Sequence, residues 1–277
     1  MTGALWVHDG TQVRPVHKRW WEAAPQTVQP GSAVTVTAHS SAHTKGAWTE
    51  LIDSTQALCD CIRLQVSNIG VNATNTATLI DVALGAAGAE VPVASNVAVG
   101  GAHSTVPYAI VFDLPVKVPA GSRVSARIQS VVTGGKAATV QASLCASPTP
   151  AAAPTSVDVL GTSTSTSAGT SLTSAATWVE VVASSARAYQ ALVLVPSVSA
   201  SNVTAATAYL QAGVGAAGAE VQVGQVRWAR TGAELAFTQI WTPGCVVPAW
   251  IPAGSRISLR DSAGGAGVAG TLIGVPA

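Results

Sequence analysis

Hydrophobic and polar residues alternate with a period of two along much of the chain. Ile62, Leu64 and Val66 alternate with Arg63, Gln65 and Ser67, and Ile80, Val82 and Leu84 alternate with Asp81 and Ala83. Val124, Ala126 and Ile128 alternate with Ser125, Arg127 and Gln129, and Leu210, Ala212 and Val214 repeat the second pattern later in the chain. Successive side chains of a strand point to opposite faces, so these segments predict half-buried strands with one face inward. β-branched residues dominate, turn-forming clusters recur about every 8–12 residues, and no segment holds a helical period for three turns. The pattern predicts an all-β protein built of antiparallel β-sandwiches of jelly-roll-like form.

An internal repeat sets the number of sandwiches. Gly85-Ala86-Ala87-Gly88-Ala89-Glu90-Val91 returns as Gly215-Ala216-Ala217-Gly218-Ala219-Glu220-Val221, an offset of 130. Trp48-Thr49-Glu50-Leu51 matches Trp178-Val179-Glu180-Val181 at the same offset, and Asn72-Ala73-Thr74 matches Asn202-Val203-Thr204. Val118-Pro119-Ala120-Gly121-Ser122-Arg123 matches Ile251-Pro252-Ala253-Gly254-Ser255-Arg256 at an offset of 133. Four colinear matches with one small insertion mark a tandem duplication, and each copy is long enough to be a domain. The expected organisation is an N-terminal arm over 1–31, a first sandwich over 32–147, a Pro/Ala linker over 148–156 and a second sandwich over 157–277. Three prolines in the linker favour an extended, semi-rigid spacer.

Composition narrows the partners. The net charge is +1 and only 10% of residues are charged, so no electrostatic footprint for nucleic acid or an anionic membrane surface is present. The mean hydropathy of +0.39 raises a membrane question, yet no run approaches the ~20 apolar residues of a spanning helix. Nothing in Met1–Gly10 reads as a secretory signal. Cys59, Cys61, Cys145 and Cys245 form no C-x-x-C pair and read as small apolar residues of a reducing compartment. Cys59 and Cys61 would neighbour each other on one strand face, a poor geometry for a disulfide.

Each candidate site has a structural reading. The Gly-Ala-Ala-Gly-Ala-Glu segments lack a following helix and match no phosphate-binding fingerprint, so they read as tight loops in which Glu90 and Glu220 cap or pair locally. Pro-Ala-Gly-Ser-Arg reads as a turn with Pro and Gly in its two central positions, followed by Arg123 or Arg256 paired with an acid. Asn72 and Asn202 fit the glycosylation pattern but, without a secretory signal, read as residues of a repeated turn. His8, His17, His39, His43 and His103 all precede the second copy and read as solvated polar residues. No catalytic triad, paired acids, metal set or cofactor motif repeats in both copies, and the expectation is a protein that is not an enzyme and carries no metal or cofactor.

The arm differs in chemistry. Trp6 to Val16 reads as two short strands about an Asp-Gly turn, and Trp6, Arg14, Trp20 and Trp21 belong to the residue types most enriched at interface hot spots. These four are expected to form a docking arm for a partner protein. Tyr108 and Trp241 align at an offset of 133 and are the candidate glycan-contact aromatics, with Trp228 and Trp250 adding aromatics in the second copy only.

Two stretches carry a family resemblance. Leu5 to Val16 resembles the Trp-Val-x-Asp-Gly-x-x-x-Arg-x-Val motif of minor tail proteins of tailed bacteriophages. Ile80 to Glu90, followed by Val118 to Arg123, is similar to β-sandwich domains of phage virion proteins. The resemblance implies a non-catalytic virion component, tail-associated, present in several copies and assembled in the host cytoplasm. Its partners would be other virion proteins of tail, baseplate or capsid and further copies of itself. A capsid decoration or head-fibre protein is the same class at another location, and a carbohydrate-binding adhesin contacting a host surface glycan is the alternative from a different class.

Overall fold

The computed structural model describes residues 6–8, 13–15, 26–69, 78–99, 109–147, 153–161, 169–172, 177–198, 206–230, 246–262 and 268–277, and every regular element among them is a strand. Strands β1 (Trp6–His8) and β2 (Val13–Pro15) pair antiparallel, with Val7 opposite Arg14. The first copy supplies eight strands: β3 (Gln26–Thr37), β4 (Thr49–Ile52), β5 (Cys61–Ser67), β6 (Thr78–Leu84), β7 (Val91–Ala98), β8 (Ala109–Leu114), β9 (Val124–Ser130) and β10 (Ala137–Ala146). The second supplies β11 (Asp158–Leu160), β12 (Thr170–Leu172), β13 (Val179–Val182), β14 (Tyr189–Val198), β15 (Ala206–Val214), β16 (Val221–Arg230), β17 (Val246–Ile251), β18 (Ile257–Asp261) and β19 (Val268–Pro276).

In the first copy, the sheet β3-β10-β5-β8 faces the sheet β4-β9-β6-β7. In the second, β11-β19-β14-β17 faces β13-β18-β15-β16, with β12 also paired to β19. Counted within a copy, the orders are 1-8-3-6 and 2-7-4-5 both times, the first strand of the second copy being split into β11 and β12. All pairings are antiparallel, and this order is that of a jelly roll, two interlocked Greek keys closed over one core. The protein is therefore all-β with two tandem jelly-roll sandwiches.

The alternating positions occupy the faces that the period predicts. Ile62, Leu64, Val66, Ile80, Val82, Val124, Ala126 and Ile128 fill the first core, and Leu210, Ala212, Leu259, Leu272 and Leu194 fill the second. Asp81 and Ala83, which alternate outward, are buried as well. The segment before β4 explains this: it runs beside β9, with Gly46 N donating to the Ile128 carbonyl, and brings Lys45 Nζ to within 2.6 Å of Asp81.

The two copies differ most on the outer face of the β3-β10-β5-β8 sheet and its counterpart. In the first copy this face carries Arg63, which donates to Asp113 from Nε at 2.8 Å and Nη2 at 2.9 Å, and the exposed Gln65. In the second copy the aligned cross-strand pair is Val193 opposite Val246. Ala191, Val193, Val195, Ala269, Thr271, Ile273 and Val275 all point outward there, opposite to the inward Leu192, Leu194, Leu272 and Gly274, and each has 0% exposure. The first sandwich covers them. Its edge strands β7 and β8 lie against β11, β14 and β19, and Ala98 N donates to Thr271 Oγ1 at 3.3 Å across the junction. Buried apolar residues of both sandwiches consequently form one continuous cluster.

Candidate functional site

The junction between the sandwiches holds polar groups that the duplication does not account for. The chain leaves the first sandwich beneath a buried carboxylate: Asp60 accepts the Ser147 N–H at 3.0 Å and the Ser147 hydroxyl. It then lies back on that sandwich, with the Pro154 carbonyl accepting from Lys117 N at 2.7 Å and Val157 N donating to the Val93 carbonyl at 3.0 Å. Ala153 and Val157 are buried by this docking. Beside it opens a cleft of about 690 Å³, walled by Ser95 and Asn96 of β7, Asp158 and Leu160 of β11, and Arg187 and Tyr189 at the start of β14.

Asp158 is the centre of the cleft's chemistry. It accepts two hydrogen bonds from Arg187, that from Nε at 2.6 Å, and a third from the Tyr189 hydroxyl at 3.0 Å. Arg187 foremost, with Tyr189, holds the Asp158 carboxyl below its ordinary value against the opposing effect of burial. Burial, reinforced by the Asp158 charge, pushes the Tyr189 phenol up to about 12. The acid stays ionised and the phenol protonated at neutral pH, which keeps the Tyr189 O–H donating to Asp158. What the triad does is pin β11, the first strand after the linker, to β14. The aligned residues of the first copy are Val28, Ala57 and Cys59, so this lock belongs to the second copy alone.

The segments retained in both copies meet at one end of each sandwich. Arg123 donates from Nε to Glu50 at 2.8 Å and from Nη1 to Glu90 at 3.0 Å, while the Glu90 carboxylate also accepts from Gly88 N at 2.9 Å. Arg256 repeats this with Glu180 at 2.7 Å, Glu220 at 2.6 Å and the Gly218 N–H at 2.8 Å. Both glutamates are held below their ordinary pKa: Glu220 foremost by Arg256, Glu90 foremost by its own backbone N–H and then by Arg123. The expectation of tight loops with locally paired acids is thus met, and each arginine ties β4 or β13 to the loop before β7 or β16. One detail differs. Ser122 N donates to the Pro119 carbonyl and Ser255 N to the Pro252 carbonyl, so Pro takes the first corner of each turn and the central residues are Ala-Gly. Gly121 and Gly254 supply the left-handed φ, at 76° and 82°.

Trp6 and Arg14, expected to dock a partner, lie on β1 and β2, whose side chains fall outside the described residues, as do the other expected contact residues Trp20, Trp21, Tyr108 and Trp241 altogether. Asn72 and Asn202 also lie outside them. His39 Nδ1 accepts from Ser41 N at 3.0 Å, and no group of three His, Cys, Asp or Glu among the described residues could hold a metal ion. Cys59, Cys61 and Cys145 are free and buried; Cys61 and Cys145 are cross-strand neighbours, and their hydrogen bond lowers the Cys145 thiol to about 7 and raises that of Cys61. Sequence reasoning missed the junction. Its signal was present in Ala191-Leu192-Val193-Leu194-Val195, an unbroken apolar run where the first copy alternates.

Compared with known proteins, the chain matches no protein-family model and no curated protein sequence.

Proposed function

We propose that the protein is a non-enzymatic structural component of a bacteriophage virion, tail-associated and held to other virion proteins by the arm that precedes β3, residues 26–31 of the expected 1–31 arm being part of β3 in the first sandwich. The observation that carries this reading is the fused pair of jelly rolls, in which a whole sheet face, from Ala191 to Val195 and from Ala269 to Val275, serves as an internal joint. Such a joint makes one rigid block from two domains, which suits a load-bearing part of a particle better than a pair of independently moving modules. The use of charge supports the same reading. Arg63, Arg123, Arg127, Arg187 and Arg256 all pair with acids of this chain, so burying them against a second protein would strand no lone guanidinium among these five. The resemblance of Leu5 to Val16 to minor tail proteins favours a tail location over a capsid one.

The test is a deletion of residues 1–25, which leaves β3 whole, in a phage that otherwise makes normal particles. The truncated protein should fold with both sandwiches intact and be missing from purified particles by mass spectrometry. Normal incorporation of the truncated chain would refute the anchor. Analysis of separated heads and tails distinguishes the tail location from a capsid decoration or head-fibre position.

A further inference from the structure

The outer face of the sheet β13-β18-β15-β16 has lost the carboxylate that its counterpart in the first sandwich carries. In the first copy, Arg127 lies 4.3 Å over the Trp48 ring, and Asp81 accepts from Arg127 Nε at 2.9 Å and from Lys45 Nζ at 2.6 Å. In the second, Arg260 lies 4.2 Å over the Trp178 ring in the same arrangement, but Gln211 stands where Asp81 does. Arg260 Nε donates to Gln211 Oε1 at 2.6 Å and Nη2 to Gln222 Oε1 at 3.3 Å. Gln211 and Gln222 in turn donate to Gln225 Oε1, at 2.9 and 3.1 Å.

In this ring every amide oxygen is engaged, so the groups left over are donors: the remaining N–H groups of Arg260 and the Gln225 amide. One register step along the same face, the exposed Tyr209 lies opposite the exposed Arg227. Among the described residues neither Arg227 nor Arg260 has a carboxylate within ion-pair distance, the nearby Glu180 and Glu220 being bound to Arg256. A guanidinium held in place by a tryptophan ring and two amide oxygens is oriented before any ligand arrives, which lowers the ordering cost of binding.

We propose that this face binds a saccharide bearing a carboxylate, with Arg260 and Gln225 donating to the carboxylate and Arg227 adding attraction. The Tyr209 ring offers the sugar an apolar surface on the same sheet face. The assignment is independent of the virion role and of the aromatics Tyr108 and Trp241.

The experiment is calorimetric titration of the full chain at low ionic strength with oligogalacturonate, its methyl ester as the neutral analogue, and hexaglutamate as the acidic peptide. Oligogalacturonate should bind and the other two should bind at least about tenfold more weakly, the scale of one charge-assisted hydrogen bond. Gln211→Asp, which restores the acid of the first copy, and Arg260→Gln should each weaken binding at least about tenfold. Arg127→Gln in the first sandwich should leave it unchanged. Absence of oligogalacturonate binding, equal binding of the methyl ester or of hexaglutamate, or indifference to Gln211→Asp in a protein with unchanged thermal unfolding would each overturn the proposal.

Discussion

Replacing Val193 with arginine puts into the second sandwich the residue that the first copy holds at the aligned position, and the two sites should respond in opposite ways. Val193 is fully buried between the second sandwich and the first, with Val246 and Ile273 as its cross-strand neighbours. A conservative Val193→Ala change removes two methyl groups from a sealed contact and leaves a small cavity, a cost of about 2–3 kcal/mol. Val193→Arg must bury a guanidinium with no facing acid, and the effective penalty for an unpaired buried ion is several kcal/mol, on the order of 4. That is a large share of the roughly 5–15 kcal/mol by which a domain is stable. Adding Val246→Asp recreates the Arg63–Asp113 pair in sequence, yet it should recover only part of the loss. Arg63 keeps its side chain 30% exposed, whereas a guanidinium at 193 would be sealed under the first sandwich. Urea unfolding followed by tryptophan fluorescence measures all three variants. Wild type should unfold in one transition, Val193→Ala at a lower midpoint, and Val193→Arg in two separated transitions as the joint fails before the cores. A double variant as stable as wild type would show the outer face of β14 and β19 to be open to water and would refute the joint.

Three further outcomes follow from the ionisable and thiol groups. Ultraviolet titration should show one of the three tyrosines ionising at about 12, and Tyr189→Phe should remove that step and cost about 1 kcal/mol through the lost hydrogen bond to Asp158. Because Glu220 titrates below its ordinary 4.5 when folded, its clamp contributes fully above that value and is lost as the pH falls through the lower folded pKa. Arg256→Gln should therefore flatten the acid end of the stability curve in thermal melts below pH 4.5, while a curve as steep as wild type would count against the clamp. Cys59, Cys61 and Cys145 have no exposed area, so a thiol reagent should label none of their peptides until the protein unfolds, as read by mass spectrometry.

What the sequence determined by itself is what depends on local geometry. A period of two states which side chains of β5, β6 and β9 share a face, and the repeated Gly-Ala-Ala-Gly-Ala-Glu and Pro-Ala-Gly-Ser-Arg segments state that two copies of one sandwich are present. Those segments are legible because their roles are short-range: a left-handed φ at Gly121 and Gly254, and a carboxylate reaching back to the N–H two residues earlier. The tertiary structure alone decided what covers an outward face. Strand order brings β5 and β10, or β14 and β19, side by side across about 80 residues of chain, a pairing with no local signature. Alternation tells inward from outward, but outward positions become core when another body lies on them. That happens to Val193, Val195 and Ile273, and it does not happen to Arg63 and Gln65. The Asp158 lock and the acid-free Arg260 face share this dependence. Each is assembled from residues far apart in sequence, at positions some of which differ in the first copy, and only folding makes them neighbours.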